Sequence, residues 1–277
     1  MKRILAIVAA LGLALTASAD EGMWLLPLLQ KMNGKALKEA GCRLSPEDIY
    51  SINHSSLKDA VIHFGGGCTG EIISAEGLIV TNHHCGYSNI QALSTDEHNY
   101  LMDGYWAMTR DQELPAQGLS VTFLQSMTDV TAVLEKAEKK IRKGETDEQK
   151  VAELLEAERK ALVEKAEKDN KNCRAQLVNF YNDNVTYLIV SKTYRDVRFV
   201  GAPPASVGKF GGETDNWMWP RHTGDVSMFR VYAGPDNEPA DYSPENRPYK
   251  AKNYLKISLA GVQEGDYAMV IDRKSVV

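Results

Sequence analysis

The sequence predicts a mainly β protein with helical insertions. Three observations carry that reading. Short β-branched and aromatic runs recur along most of the chain, separated by Gly, Pro and Ser clusters. One segment, 128–173, switches to helical periodicity and dense Glu/Lys decoration. The composition is that of a globular protein: 277 residues, 43% hydrophobic and 25% charged, which excludes disordered and collagen-like classes.

The elements follow in chain order. Lys2 and Arg3 precede an apolar run from Ile4 to Leu15, and Ala17-Ser18-Ala19 supplies small residues for cleavage. This order predicts a secretory signal peptide over 1–19, too short to span a bilayer. An exported protein is expected, with no membrane span. The net charge of −5 offers no basic footprint, so nucleic acid is not an expected partner. Ser45-Pro46-Glu47-Asp48 predicts a helix start, with Ser as N-cap and Pro at the first helical position. Phe64-Gly-Gly-Gly67 ends that texture. Glu71–Ile73 and Leu78–Val80 read as strands joined by a tight turn at Ser74–Gly77, and Leu119–Leu124 as another strand.

Val130, Val133, Leu134, Ala137 and Ile141 form a helical stripe, which Gly144 interrupts. Thr146 and Gln149 predict a capping-box start for a second helix carrying Val151, Leu154, Leu155, Leu162 and Val163. The charges of this hairpin fit a solvated scaffold rather than chemistry. Strands are expected at 185–191 and 197–200, ended by Pro203-Pro204, and again at 225–232, 256–259 and 267–271. A Gly- and Trp-rich loop fills 208–224. Cys42, Cys68, Cys85 and Cys173 are even in number and none forms a C-x-x-C, so residue spacing leaves three disulfide pairings open.

Chemistry concentrates in two stretches. Between Cys68 and Cys85, a strand, a turn and a second strand deliver Val80-Thr81-Asn82-His83-His84-Cys85. This resembles the Val-Thr-Ala-Ala-His-Cys string of chymotrypsin-like peptidases. That resemblance implies His84 as general base and a Cys68–Cys85 disulfide stapling the hairpin beneath it. A hydrogen-bonded structural His pair is the blander alternative. No metal is expected: adjacent strand residues face opposite sides, so His83 and His84 do not share an ion, and no H-E-x-x-H is present. The second stretch runs from Phe210 to Asp225. Asp225 opens a strand after Gly224, a fitting place for an acid that orients a His. Trp217 and Trp219 can wall a pocket in which Asn216 offers an amide. Ser74, Ser88, Ser206 and Ser227 all lack the Gly-x-Ser-Gly context of a serine nucleophile.

Together these residues resemble the N-terminal part of the bacterial serine dipeptidyl-peptidases of the dipeptidyl-peptidase 7 and 11 family. The resemblance runs from Gly22 to Ile271. It rests on Phe64-Gly-Gly-Gly-Cys-Thr-Gly70, Thr81-Asn-His-His-Cys-Gly-Tyr87, Asp215-Asn-Trp-Met-Trp-Pro-Arg-His-Thr-Gly-Asp225 and Phe229-Arg-Val-Tyr232. It implies a chymotrypsin-like double β-barrel, incomplete here, with residues 20–271 as the N-terminal part of the catalytic domain. It implies metal-free release of dipeptides from the free N-terminus of oligopeptides, in the periplasm, by a protein that is a homodimer at full length. His84 becomes the base, Asp225 its orienting acid, and Asn216 and Trp217 part of a clamp on the substrate α-amino group. The departure comes at 272–277, Asp-Arg-Lys-Ser-Val-Val, where the family continues with a Gly-Phe-Pro-Gly-like turn and carries its nucleophile far downstream. As written, the 277 residues are expected to be inactive. The rival expectation is an exported, non-catalytic peptide-binding protein. A free-standing endopeptidase fits the missing Ser and the clamp loop less well.

Overall fold

Among the described residues eleven strands pair antiparallel into one sheet. In the computed structural model the described residues are 24–212, 214 and 218–272. The expected signal peptide, Asn216, Trp217 and residues 273–277 of the expected tail therefore lie outside them. The strands are β1 (Val61–Phe64), β2 (Cys68–Ile72), β3 (Leu78–Thr81), β4 (Tyr105–Trp106), β5 (Leu114–Pro115), β6 (Val121–Asp129), β7 (Arg174–Phe180), β8 (Val185–Tyr194), β9 (Asp196–Ala202), β10 (Ser227–Ala233) and β11 (Arg247–Pro248). Their hydrogen-bonded order is β4-β9-β10-β3-β2-β1-β6-β8-β7, with β5 also on β9 and β11 also on β10. The helices are α1 (Gly34–Glu39), α2 (Pro46–Ile49), α3 (His83–Leu93), α4 (Tyr100–Asp103), α5 (Thr131–Ile141), α6 (Glu148–Asp169) and α7 (Ala205–Gly208). The fold is thus a large antiparallel sheet with substantial helix. The described strands form a sheet that is not closed into a barrel, let alone two.

The sheet serves two hydrophobic cores. Ile62, Phe64, Ile72, Ile79, Val121, Phe123, Phe199 and Phe229 fill the first, with the rings of Phe64 and Phe199 lying 5.0 and 5.4 Å from that of Phe229. Leu124, Met127, Tyr187 and Ile189 turn to the second, under Leu26, Leu29, Leu37 and Ile49 of the N-terminal helices. Strand β6 feeds both. Its alternation sends Val121 and Phe123 one way and Leu124 the other, and a register shift between Leu124 and Ser126 keeps Met127 on the Leu124 side.

The β2–β3 hairpin forms as expected. Gly77 closes its turn at a φ of 66°, where a Cβ would also meet the Val231 carbonyl at 3.1 Å. The helical excursion is the hairpin α5–α6, in which Val130, Leu134 and Val151 are buried while Val133 and Leu154 face solvent. Ser45 caps α2 through a capping box with Asp48. The cap of α6 is one residue later than expected: the Asp147 carboxylate, not Thr146, accepts the N–H groups of Gln149 and Lys150.

The strand expectations need correction in both directions. Sequence patterning does not predict β1, β7 or the two-residue strands β4, β5 and β11. Strand β1 is four residues long, directly after a helical stretch, and β7 has polar residues at Arg174, Gln176 and Asn179 that blur its alternation. Conversely, 256–259 and 267–271 are not strands. Their apolar alternation is real, yet Ile257 and Leu259 are 69% and 98% exposed, because no strand pairs beside them. Cys42, buried among the N-terminal helices, and Cys173, half-buried before β7, are free thiols. No helix among the described residues is long and apolar enough to cross a membrane.

Candidate active site

Strand β3 ends at Thr81, and the chain turns at Asn82 directly into α3, so His83, His84 and Cys85 occupy its first turn. The expectation that His83 and His84 diverge holds for a helical reason: successive helix residues point about 100° apart. His83 is 1% exposed, whereas the His84 side chain is 68% exposed. The Cys68–Cys85 disulfide joins the start of β2 to this turn, so hairpin and helix are stapled where the histidines emerge.

The turn lacks a side-chain cap of its own. Asp225, arriving just before β10, takes that place from the strand beside β3. Its Oδ1 accepts the backbone N–H of His84 at 3.0 Å, and its Oδ2 lies 2.7 Å from His84 Nδ1. Asn82 Nδ2 donates to the same carboxylate at 3.2 Å and to the Asp225 carbonyl at 3.3 Å. Helix N-termini attract carboxylates because their first N–H groups lack intrahelical acceptors. One residue therefore caps a helix and orients a ring. With a carboxylate as acceptor, the proton belongs on Nδ1, leaving the Nε2 lone pair free toward solvent. Burial pulls the Asp225 carboxyl upward, but the N–H and ring of His84 and the N–H of His83 hold it below the ordinary carboxylate value. Behind the pair, Ser227 Oγ donates to the Asn82 carbonyl at 2.8 Å. Gly86 allows this closeness, since a Cβ there would lie 2.8 Å from Ser227 Oγ and 2.9 Å from the Phe229 ring.

The loop that leads to Asp225 is pinched at its base. Gly224 N–H bonds the Val207 carbonyl at 3.0 Å, and Thr223 Oγ1 donates to the Phe210 carbonyl at 3.0 Å. Of this loop, Phe210, Met218 and Trp219 are exposed apolar residues. Residue patterns drew attention to His84 and Asp225 separately, and the fold brings them together. They did not single out Asn82 or Ser227 as supports, because each acts through a partner distant in sequence.

Cys68, His84 and Cys85 offer three ligand-type atoms within 4.8 Å of one another. Both sulfurs are tied up in the disulfide, so they are not the thiolates a metal would need. A groove of about 660 Å³ lined by Gln117, Arg195, Asp241 and Tyr242 includes neither His84 nor Asp225. The pair sits instead on an open surface.

A stapled hairpin that presents a histidine to a carboxylate, on an antiparallel sheet, is the arrangement expected of a serine-peptidase base and acid. The sequence pattern of the family described as Peptidase S46 matches residues 19–272, and the chain belongs to that family. Among curated relatives, it is 52% identical over 261 residues to dipeptidyl-peptidase 7 of Phocaeicola vulgatus, covering 93% of this chain and 36% of that protein. It is 47% identical over 270 residues to the Asp/Glu-specific dipeptidyl-peptidase of Capnocytophaga gingivalis, covering 98% and 37%. The crystal structure of Porphyromonas endodontalis DPP11 in complex with substrate superposes with a TM-score of 0.78 at 44% identity, over 89% of this chain and 36% of that one. The same protein with the dipeptide Arg-Glu gives 0.77 at 42%, over 89% and 36%. The chain thus spans about a third of the length of the relatives it matches.

Proposed function

We propose that these 277 residues form the base-and-acid portion of an exported serine dipeptidyl-peptidase. The carrying observation is the His84–Asp225 contact at 2.7 Å, on a chain of the Peptidase S46 family. In this reading His84 is the general base, accepting the nucleophile's proton at Nε2 and returning it to the leaving amine. Asp225 keeps the ring in the Nδ1–H tautomer and stabilises the imidazolium. The serine nucleophile comes from the part of the relatives that this chain does not span. Asn216 and Trp217 belong to a clamp on the substrate's α-amino group. A charged amine held a fixed distance from the nucleophile limits cleavage to the bond after the second residue, which makes the enzyme an exopeptidase. Relatives carry names that specify dipeptidyl-peptidase activity, and one is solved with a dipeptide and with substrate, which supports oligopeptides with a free N-terminus as the substrate class.

The same reading takes the sheet to be the first half of a chymotrypsin-like double barrel. Strand β6 pairs with β1, while β5, a few residues upstream, pairs with β9. That brings both sides of the run β9-β10-β3-β2-β1 to one stretch of chain, which supports a sheet rolling up on itself. Periplasmic location and a full-length homodimer belong to the proposal as well.

The test uses a full-length protein carrying this N-terminal third, with an unblocked oligopeptide and its N-acetylated twin. Dipeptide release is expected from the unblocked peptide alone, and His84→Ala should abolish it without unfolding the protein. Turnover retained by a folded His84→Ala variant sinks the base assignment. Peptide binding without cleavage in the unaltered protein favours the binding-protein reading, and cleavage of the blocked peptide makes it an endopeptidase.

A further inference from the structure

Beside the exposed His84 lies a second histidine that the proposed chemistry does not use. His83 is 1% exposed, and its Nε2 has no hydrogen-bond partner among the described residues. Filling this space needs no nitrogen, since Leu or Phe would do it without burying an unpaired polar atom. The ring has a specific neighbour. A Cβ on Gly208 would stand 2.4 Å from its carbons and 2.8 Å from Nε2, so the backbone of α7 lies directly on the imidazole. Gly208 is the last residue before the loop, and the loop returns through Gly224, whose N–H is bonded to Val207. The backbone N–H of His83 meanwhile faces the Asp225 carboxylate and helps hold its pKa down. One residue thus faces the acid with its main chain and packs on the foot of the loop with its side chain.

We propose that His83 is a positioning residue that ties the foot of the 208–224 loop to the His84–Asp225 pair while its ring is neutral, and releases that foot when the ring is protonated. The inference rests on the reading of His84 as base and extends it to how Gly208 and Gly224, at the two ends of the loop before Asp225, are held. An imidazolium has two N–H donors, and the one at Nε2 faces Gly208 with no acceptor. The groups facing the ring confirm how little is there to hold a charge. On α3 these are His84, of the same sign once protonated, and the ring of Tyr87 with its centroid 6.2 Å away; before the adjacent strand β10 there is Asp225, already engaged by His84. Helix α7 brings only Ala205, Ser206, Val207 and Gly208, none of them charged, before Lys209. Burial accordingly holds His83 below the ordinary imidazole value, with Asp225 opposing and His84 reinforcing the shift. A ring that takes up a proton leaves its seat, and the loop foot loses its support.

The experiment is an NMR titration of the 277-residue chain with labelled histidine and glycine. His83 is expected to titrate at lower pH than free histidine, and the Gly208 and Gly224 amides are expected to shift with the same midpoint. In His83→Phe that acid step should vanish from both glycines while the chain stays folded. Should His83→Phe fail to fold, the pair His83→Ala with Gly208→Ala moves the lost volume across the contact and must likewise remove the step. In a full-length enzyme, the KM for an unblocked peptide should rise several-fold on acidification, and the rise should flatten in His83→Phe. Glycine amides that ignore His83, or an acid step that survives its replacement, overturn the inference. A folded His84→Ala enzyme that still turns over would instead remove the base assignment and leave the His83–Gly208 coupling standing.

Discussion

Asp225 carries two duties on two oxygens, and both set its response to acid. Its carboxyl pKa is lower in the folded state than the unfolded value of about 3.9. The stabilisation is therefore fully present above that unfolded value and is lost as pH falls through the folded one. Asp225→Asn keeps the shape but removes this acid-dependent contribution, which denaturant titrations at pH 3 and pH 7 would reveal. In a full-length enzyme the same substitution should lower turnover by about 10⁴, as losing the orienting acid does in triads of this kind. His83 acts in a higher window. Its folded pKa is depressed, so the unfolded chain takes up the proton first, and stability should begin to fall below about pH 6.5. His83→Phe should flatten that slope. Gly208→Ala is expected to cost about 1–3 kcal/mol by forcing a methyl into the imidazole, measured as a shift in unfolding midpoint.

At the scale of elements, the site depends on how α3 begins. A strand that ends at Thr81 and turns at Asn82 straight into a helix places the His84 N–H where a carboxylate from β10's approach can reach it. The Cys68–Cys85 bond, spanning 17 residues, reinforces that junction. Opening it with Cys68→Ala and Cys85→Ala together should cost about 3 kcal/mol by loop-closure entropy, detectable in chemical denaturation. The α5–α6 hairpin should matter little to the site. Asp147→Ala removes the cap of α6 and should cost about 1 kcal/mol while leaving the His84 ring NMR signals unchanged at neutral pH.

For the whole molecule, the sheet supports the pair from beneath while leaving it open above. His84 projects from the first core at the edge of an exposed loop, and the apolar residues Ile257, Leu259, Val262 and Val270 are also exposed. Family members are about three times as long as this chain. The proposal gives their remaining length two tasks, supplying the nucleophile and covering this surface. Mixing the chain with a separately expressed remainder of a full-length protein should then restore dipeptide release. Failure of the two well-folded pieces to complement would count against that division of labour.

Much of this was legible along the chain. The β2–β3 hairpin, the core of β6, β8 and β10, and the charged helical hairpin all announce themselves through local periodicity and turn chemistry, which neighbouring residues determine. His84, Asp225 and the Cys68–Cys85 pair were visible too, because the family resemblance lies in short contiguous strings. Other features depended on partners far away. Strand β1 exists because β2 and β6 flank it, whereas 256–259 and 267–271 carry strand patterns with no pairing partner. That Asp225 caps α3 from 141 residues away, and that His83 is buried on Gly208 while its neighbour faces water, are matters of packing. Sequence records which groups are available; only the folded chain decides which distant group arrives to satisfy an open N–H or to leave a nitrogen unpaired.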